Sequence, residues 1–404
     1  MRFLILTQYF PPETGAAQVR LKELAKGLQR LGHSVTVVTA FPNHPSGIIP
    51  EQYRGHWFMR DEVEGLSVLR TWVYPVQRGR FWKRLLNYFS FTFSSLWGIA
   101  QAGSCDYLFV ESPPLFLGMT AVIGSWLKRA RLIFNVSDLW PESAVALGLV
   151  QNHTLIRLTE GLESWLYRKS WKLAAVTLGI RETWLKRGIP AAKITFLPNG
   201  VNLDLFQPQP PHEPTLRALG LEGKFVLIYA GTMGYAQGLE TLLEAARILR
   251  AEPHYRFLFL GDGTEKPKLE AMAQDLHLPN VQFLGFQPVS EMSRYFSLAA
   301  ASIVPLKKLK LFEGARPSKI FPAMGCAVPL IYSGEGEAVE LIQEAQAGVT
   351  IEPENPQALA EAIRSLYALP DQGRSLGVNG RHYAEKNYAW DSIVANWLGE
   401  LEAQ

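Results

Sequence analysis

The chain has 404 residues, 48% of them hydrophobic, so its length exceeds one ordinary core and we expect two globular domains. Two cysteines, Cys105 and Cys326, argue against a disulfide framework, and the N-terminal segment lacks the pattern of a secretory signal. Residues 1–200 carry 23 Lys and Arg against 13 Asp and Glu, a net +10, whereas residues 201–404 carry 17 against 24, a net −7. The basic first half is predicted to face an anionic surface or acceptor. No signature of a nucleic-acid-binding module accompanies this charge.

In the first half, four apolar runs of strand length alternate with helical patterns. The predicted strands are RFLILTQYF (2–10), HSVTVVTA (33–40), DYLFVES (106–112) and RLIFNVSD (131–138). Between the first two, QVRLKELAKGLQRLG (18–32) repeats apolar residues at three- and four-residue steps and ends at a glycine, which is typical of an amphipathic helix.

The second half repeats this alternation. Its predicted strands are KFVLIYAG (224–231), YRFLFLGDG (255–263), VQFLGF (281–286), AAASIVPL (299–306) and VPLIYS (328–333), with helices predicted at 240–253 and 264–277. The pattern predicts an α/β fold of two doubly wound, Rossmann-like parallel sheets. Pro, Asn and Gly cluster at residues 196–214, where we place the join. Two such domains imply a cleft, with ligands at the carboxyl ends of the strands.

Three loops after first-half strands carry candidate site residues. Gly15 follows the first strand and opens a helix, an arrangement that suits an anion but also fits an ordinary turn. His44 lies in FPNHPSG (41–47), after the second strand. Asp138 and Glu142 follow the fourth strand, where a carboxylate can orient a hydroxyl or act as a general base. The alternative for both carboxylates is a capped helix start.

Glycine-rich turns follow several strands of the second half. They are YAGTMGYAQG (229–238), LGDGTEK (260–266) and YSGEGEAVELI (332–342). The stretch LFEGARPSKIFPAMGCAVPL (311–330) adds cations before a helix. Together these loops predict a site for a nucleotide diphosphate. No two aspartates are separated by one residue and no zinc-ligand spacing occurs, so we expect no metal cofactor and predict that lysine, arginine and helix dipoles neutralise the phosphates.

These motifs resemble those of GT-B glycosyltransferases of family 4, and within it the bacterial O-antigen and colanic-acid group of fucosamine-transferase-like enzymes. The matching stretches are QYFPPETGAAQVR, FPNHPSGIIPEQYRG, SDLWPESAVALGLV, LPNGVN, YAGTMGYAQGLETLLEAA, LGDGTEK, RPSK and GEAVELIQEAQAGV. The resemblance implies an acceptor-binding domain at residues 1–198, a nucleotide-sugar-binding domain at 199–384, and a helix at about 385–404 that returns to the first domain.

The resemblance also implies roles for individual residues. Asp138, Glu313 and Lys319 would be catalytic, with Lys319 on the pyrophosphate and Glu313 near the donor sugar. His44 and Glu142 would contact the acceptor. The predicted donor-binding set is Gly15, Gly231, Thr232, Gly234, Gly261, Arg316, Ser318, Lys319 and Glu337.

The chain departs from the family pattern at two positions. Many members carry a second glutamate that contacts the nucleotide ribose, and Pro322 stands in its place here. Proline cannot accept that hydrogen bond, although it is tolerated in a first helical turn, so we expect the helix to start near residue 321 or 322 and the ribose contact to be weakened. Gln237 replaces a basic residue that usually follows the glycine-rich turn.

Residues 78–103 (RGRFWKRLLNYFSFTFSSLWGIAQAG) combine four basic residues with an uncharged, aromatic-rich run. This pattern predicts either an interfacial helix at a membrane surface or a buried helix packed on the first sheet. With the interfacial alternative, the acceptor is expected to be an undecaprenyl-pyrophosphate-linked sugar.

The leading hypothesis is a retaining, metal-independent glycosyltransferase, cytoplasmic and peripheral on the cytoplasmic face of the membrane. Its expected partners are a nucleotide-sugar donor, a lipid-linked glycan acceptor and the inner-membrane surface. Two alternatives stay open: a non-hydrolysing sugar-nucleotide epimerase, which shares the two-domain architecture, and a non-catalytic scaffold that binds sugar nucleotides.

Overall fold

The computed structural model describes residues 1–13, 15–44, 46–76, 81–146 and 150–402. Parts of the motifs quoted above lie outside the described residues: Thr14, Pro45, residues 78–80 and residues 147–149. The chain divides into two compact units, the first formed by residues 1–198 together with the segment from 390 onward, the second by residues 199–389.

The strands of the described residues are β1 (Arg2–Leu6), β2 (Ser34–Ala40), β3 (Phe58–Val63), β4 (Leu66–Thr71), β5 (Tyr107–Ser112), β6 (Arg131–Val136), β7 (Lys172–Ala175), β8 (Ile194–Phe196), β9 (Phe225–Ala230), β10 (Tyr255–Leu260), β11 (Val281–Leu284), β12 (Ala301–Pro305), β13 (Leu330–Ser333) and β14 (Gly348–Ile351).

The α-helices are α1 (Ala16–Arg30), α2 (Phe81–Gln101), α3 (Leu117–Lys128), α4 (Glu142–Ala146), α5 (His153–Lys169), α6 (Leu178–Lys186), α7 (Glu213–Ala218), α8 (Glu240–Ile248), α9 (Lys266–Asp275), α10 (Met292–Phe296), α11 (Ile320–Gly325), α12 (Glu337–Glu344), α13 (Pro356–Ala368), α14 (Arg374–Asn387) and α15 (Trp390–Glu402).

The first unit is built on an eight-stranded sheet in the order β3-β4-β2-β1-β5-β6-β7-β8, parallel except for β3, which runs antiparallel to β4. Its two faces are covered by different helices. Leu4 and Leu6 point into a core with Phe91 and Ile99 of α2, whereas Phe3 contacts Trp397 of α15, with ring centroids 6.2 Å apart. The near-continuous apolar runs of β1 and β5 follow from this burial on both faces.

The β3–β4 hairpin was not predicted. β3 is the edge strand and is only half-buried, so its apolar and polar residues alternate only in part. Such a segment gives a weak strand signal in the sequence. Strands β7, β8 and β14 were also missed; each has only three or four residues.

The second unit contains a six-stranded sheet in the order β11-β10-β9-β12-β13-β14, in which every pairing is parallel. Leu227 and Tyr229 of β9 join a core with Leu243 of α8 and Leu359 of α13. The predicted α/β fold with two doubly wound, Rossmann-like parallel sheets is therefore confirmed.

The last helix belongs to the first unit. In α15, Trp397 donates a hydrogen bond from Nε1 to Thr195 Oγ1 at 3.2 Å and is almost completely buried. Asp391 pairs with Arg30 of α1 at 2.5 Å. The chain thus enters its second unit at residue 199 and leaves it at residue 389.

Candidate active site

In the second unit, the loops that follow β9, β10, β12 and β13 meet at one edge of the sheet, because all four strands are parallel and adjacent in the order β10-β9-β12-β13. These loops contain every predicted second-half site residue. This is the edge at which ligands bind in open α/β sheets.

The loops after β9 and β10 are bonded to each other through their backbones. The N–H of Gly231 donates to the carbonyl of Leu260 at 2.9 Å, and that of Met233 donates to the carbonyl of Asp262 at 2.9 Å. The predicted residue Gly261 packs against the carbonyl of Gly231. The two glycine-rich turns form one connected backbone surface, as a diphosphate cradle requires.

Lys319 lies across Gly231. A Cβ atom on Gly231 would collide with the Lys319 Cε atom, and the φ angle of Gly231, +141°, favours glycine as well. Lys319 Nζ lies 5.7 Å from the centroid of the Tyr229 ring. Burial lowers the pKa of Lys319 to about 8. No carboxylate of the described residues pairs with this ammonium group, so it is available to an anionic ligand.

Arg316 and Glu337, both predicted to bind the donor, are bonded to each other. Arg316 Nε lies 2.5 Å from Glu337 Oε1, and Nη1 donates to the Tyr388 hydroxyl at 2.7 Å. The two side chains are 9% and 7% exposed, so each compensates the charge of the other in a nearly dry environment. This pair fixes the start of α12 against the loop that precedes Lys319.

Glu313 lies in a short 3-10 turn, and its side chain is exposed. Its backbone carbonyl is packed against Gly336, where a Cβ atom would collide and where φ is +77°. Glycine at residue 336 therefore allows the loops after β12 and β13 to touch. Thr232 is exposed and accepts a hydrogen bond at its carbonyl from the Tyr229 hydroxyl, and Ser318 is half-buried beside Lys319.

Helix α11 begins at Ile320, before Pro322 and slightly earlier than expected. Pro322 is the third residue of the helix, where an N–H has no intrahelical acceptor, so the ring removes no helical hydrogen bond. Its carbonyl accepts from the N–H of Cys326 at 3.0 Å. Pro322 thus does not disrupt the loop that carries Lys319.

Gln237 closes the turn after β9 by accepting the N–H of Gly234 at 3.0 Å. A cation that was not predicted from the sequence lies beside this turn. Lys307 donates its backbone N–H to Ala236 at 2.9 Å, and its Nζ lies 3.7 Å from the centroid of the Tyr235 ring. Lys307 supplies positive charge near the position where Gln237 replaces the usual basic residue. Its only signal in the sequence was its place just after a strand.

In the first unit, Gly15, His44 and Asp138 follow β1, β2 and β6 at the carboxyl edge of the sheet. Gly15 is exposed at the start of α1 with an extended backbone. The ring of His44 lies 5.3 Å from that of Tyr9. Desolvation, and then the charge of Arg84, lower the pKa of His44 and so favour its neutral form.

Glu13 connects two loops at this edge and was not predicted from the sequence. Its Oε1 atom accepts the backbone N–H groups of Asn43 and His44, both at 2.7 Å, and Oε2 accepts the N–H of Phe10 at 3.4 Å. Burial raises the pKa of Glu13 to about 7, against the effect of these amides. The carboxylate holds the loops after β1 and β2 together.

A second buried network lies behind Asp138. Arg20 of α1 pairs with Glu111 of β5, and Arg20 also donates to Ser137 Oγ at 2.6 Å. Asn135 Nδ2 donates to Glu111 Oε2 at 2.6 Å. Arg20 and Glu111 are only 4% and 3% exposed. The network fixes the backbone immediately before Asp138.

Asp138 itself is exposed at the end of this loop and forms no ion pair within the part of the chain that the structure describes. The surrounding protein raises its pKa by restricting hydration, and the charge of Arg20 opposes that shift. An accessible carboxylate with a raised pKa suits a group that orients a hydroxyl and shares its proton.

Glu142, the other predicted acceptor contact, pairs with Arg187, whose Nη1 lies 3.2 Å from Glu163 Oε2. Glu142 therefore takes part in a charge cluster that ties α4 to α5 and α6. The structure brings Glu142 to Arg187 rather than leaving it unpaired beside Asp138.

Among the described residues, no group of three His, Cys, Asp or Glu side chains is arranged to hold a metal ion. Within the same residues, no helix is both long enough and apolar enough to cross a membrane.

Two family profiles match the chain: the glycosyl transferase 4-like domain over residues 15–200 and the glycosyl transferases group 1 over residues 214–383. With the two parallel sheets and the glycine-rich loops at their edges, these matches show that the chain belongs to the GT-B glycosyltransferases of family 4. The resemblance inferred from the sequence motifs is confirmed.

Similar proteins point the same way. WcaI of Escherichia coli (strain K12), described as a colanic acid biosynthesis glycosyl transferase, is 25% identical over 413 residues, which cover 99% of this chain and 100% of that protein. WbjE of Pseudomonas aeruginosa, described as a glycosyltransferase, is 24% identical over 296 residues, 72% of each chain. The structure of Anabaena HepE in complex with UDP-glucose has the same fold, with a TM-score of 0.76 at 17% identity and complete coverage of both chains.

Proposed function

We propose that this protein is a retaining, metal-independent glycosyltransferase of bacterial surface-polysaccharide synthesis. It transfers a sugar from a nucleotide-diphosphate sugar to a lipid-linked glycan, an undecaprenyl-pyrophosphate-linked acceptor, at the cytoplasmic face of the membrane. The description of WcaI as a colanic acid enzyme supports the pathway class. The presence of UDP-glucose in the HepE complex supports a nucleotide-sugar donor.

The observation that carries this proposal is the position of Lys319 over Gly231. An ammonium group without a carboxylate partner in the described chain lies against the glycine-rich backbone at the ligand-binding edge of the sheet. This combination suits a diphosphate, since the amides approach its oxygens and the lysine balances its charge. Lys307 adds a second cation at the neighbouring turn.

The acceptor side of the proposal rests on the first unit. Asp138 orients the attacking hydroxyl, and His44, held in place by Glu13, contacts the acceptor glycan. The structure supports a smaller role for Glu142, because its carboxylate is shared with Arg187. The net positive charge of residues 1–200 suits an acceptor that carries a diphosphate.

In the proposed reaction, the bond between the anomeric carbon and the diphosphate oxygen breaks, and the nucleoside diphosphate leaves with the electron pair. The acceptor hydroxyl oxygen forms the new glycosidic bond on the same face of the sugar. Its proton passes to an oxygen of the leaving diphosphate. Lys319 stabilises the negative charge that develops on that oxygen, an effect that often contributes most to catalysis.

The test is a panel of UDP-, GDP- and dTDP-sugars, assayed for binding and for release of the nucleotide in detergent with EDTA. We expect one donor to bind and to be hydrolysed slowly by the wild-type chain. Lys310→Ala, an exposed lysine in the same loop, is the matched control for Lys319→Ala. Nuclear magnetic resonance of the sugar nucleotide would reveal an epimerised product if the epimerase alternative held. Binding without turnover, even with a lipid-linked acceptor, would favour the scaffold.

A further inference from the structure

The outward surfaces of α2 and α3 are apolar, which is unusual for helices that face solvent. We call this surface the α2–α3 face, and its main exposed residues are Trp82, Leu86, Phe93, Trp97, Trp126 and Leu127. Three of these side chains are at least 70% exposed: Trp82 at 73%, Phe93 at 70% and Trp126 at 77%. A helix on the surface of a globular protein normally places charged and polar residues there. Contiguous exposed apolar area of this kind marks an interaction surface.

The two helices form one continuous surface because they pack side by side in the same direction. Near the start of α3, the rings of Phe116 and Phe89 have centroids 4.6 Å apart. Near its end, a Cβ atom on Gly124 would lie 2.8 Å from Ile99 Cδ1. The contacts advance along both helices together, so α3 lies beside the C-terminal part of α2, and its exposed residues near its end extend the apolar stripe of α2.

The inward surfaces of the same helices are fully occupied. Phe91 and Ile99 of α2 and Ala121 of α3 are buried in the core of the first unit. Of the two sequence-based alternatives for residues 78–103, the buried helix describes one side of α2 within the described residues, and the other side is exposed. The contribution of α3 was not predicted from the sequence.

The charges that α2 and α3 themselves carry have one sign. Neither α2 nor α3 contains an aspartate or glutamate. Lys83 and Arg84 lie in the first turn of α2, and Lys128 and Arg129 lie at the end of α3, where Lys128 Nζ donates to the carbonyl of Ala102 at 2.6 Å. Cations therefore lie at both ends of the apolar surface.

The sign of these charges distinguishes a lipid bilayer from a second copy of the chain as the partner of this face. A second copy of the chain, packed through the same face about a two-fold axis, would bring basic residues close to basic residues. An anionic bilayer instead accommodates tryptophans at the level of its headgroups and attracts the flanking lysines and arginines.

We propose that the α2–α3 face docks onto the surface of an anionic lipid bilayer and lies in the headgroup region without crossing it. This inference rests on the proposed function only in one respect: docking would bring the enzyme to its lipid-linked acceptor. Docking itself needs no sugar donor, so the two proposals are tested separately.

The experiment measures co-flotation of the full chain with vesicles of phosphatidylcholine, with and without phosphatidylglycerol. We expect strong binding to the anionic vesicles that weakens with added salt. The double variant Phe93→Ser with Trp126→Ser should reduce partitioning by at least about tenfold, because it removes apolar area that the bilayer would otherwise bury. Phe286→Ser, an exposed aromatic residue of the second unit, is the control and should bind as the wild type does.

A second variant tests the charges without changing the apolar residues. Lys83→Gln with Arg84→Gln should weaken binding to anionic vesicles by about fivefold for each residue and leave binding to phosphatidylcholine unchanged. Circular dichroism and the urea midpoint verify that each variant is folded.

Failure of the wild-type chain to bind anionic vesicles would overturn the docking proposal, as would wild-type binding by the Phe93→Ser, Trp126→Ser variant. A dimer in light scattering that dissociates in this variant would assign the face to a second copy instead. Nucleotide release in detergent, measured on the same samples, reports on the proposed function alone. Docking without turnover and turnover without docking are therefore distinct results.

Discussion

The side chain of Lys319 occupies the space that a Cβ atom on Gly231 would need, so no larger residue fits at position 231 without moving the lysine. The two residues are far apart in the sequence and come from different loops of one sheet edge. Their contact brings the ammonium group to the glycine-rich turn after β9, where Nζ would lie 3.3 Å from a Cβ atom at residue 231. It makes residue 231 a determinant of where the positive charge lies.

Replacing Lys319 by alanine should lower sugar transfer by roughly 10²–10³-fold, the scale of losing one key stabiliser of transition-state charge. The measurement is the rate of nucleotide release with the donor that the wild-type chain accepts. Lys310→Ala should retain close to wild-type activity, because that lysine is exposed in the preceding turn. Near-normal turnover by Lys319→Ala would remove Lys319 from the mechanism.

Gly231→Ala should weaken donor binding and also destabilise the protein. A φ of +141° strains alanine, which costs about 1–3 kcal/mol, and the added methyl group displaces Lys319. Urea unfolding measures the loss of stability, and titration with the donor measures the loss of binding. Gly399→Ala in α15 is the control, since nothing lies within 4 Å of that Cβ position. This change should stabilise the helix by about 0.5–1 kcal/mol. Unchanged donor affinity in Gly231→Ala would show that the Lys319 position does not matter.

Pro322→Glu restores the glutamate that the family pattern places on this helix. Because Pro322 lies in the first turn of α11, a glutamate there disturbs no helical hydrogen bond. A new contact to the ribose should tighten donor binding by about five- to tenfold, the scale of one hydrogen bond. Calorimetry with the accepted donor measures the change, and Pro322→Ala separates the carboxylate from the loss of the ring. Equal affinity in all three proteins would place the ribose elsewhere.

Arg20→Ala should lower the free energy of unfolding by about 3–5 kcal/mol, because it leaves the buried Glu111 carboxylate without its cation. Removing both charges, as in Arg20→Met with Glu111→Leu, should lower it by much less. Urea denaturation measures both. The control is Arg2→Ala, whose partner Asp106 is exposed, and it should leave the free energy of unfolding close to that of the wild type. A loss of stability in the double variant as large as that in Arg20→Ala, or larger, would contradict this explanation.

Glu13 predicts a pH dependence of stability. Its pKa is raised from an ordinary 4.5 to about 7, chiefly by burial, so the folded protein holds this proton more tightly than the unfolded chain does. The stabilisation is complete below pH 4.5 and is lost as the pH rises through about 7, by about 3 kcal/mol in all. Glu13→Gln should remove this part of the slope.

Urea midpoints between pH 5 and 8 measure the difference between the wild type and Glu13→Gln. Glu163, whose pKa is also raised to about 7, contributes the same slope to both proteins and cancels in the comparison. Hydrogen exchange of the Asn43 and His44 amides, which donate to Glu13, provides a local measurement. Parallel pH profiles of the two proteins would rule out this role for Glu13.

The fold and the location of the candidate site were predictable from local patterns. Alternating strands and helices predicted the two parallel sheets, and the glycines after β9, β10 and β13 predicted the edge where the donor loops meet. The edge hairpin β3–β4 and three short strands (β7, β8 and β14) were not predicted, because half-buried or very short segments carry little periodicity. Glu13 and Lys307 were missed because only their neighbours in space give them a role.

By itself, the sequence determined the class of fold, the glycine-rich turns and the cations available to a diphosphate, since these depend on periodicity and residue type along the chain. Only the tertiary structure decided which charges pair. It joined Arg316 to Glu337 and Glu142 to Arg187, and it placed Arg20 beside Glu111, 91 positions away. The physical reason is that hydration, pKa and ion pairing depend on which atoms are brought within a few ångströms of one another, and that is settled when the sheets and helices pack.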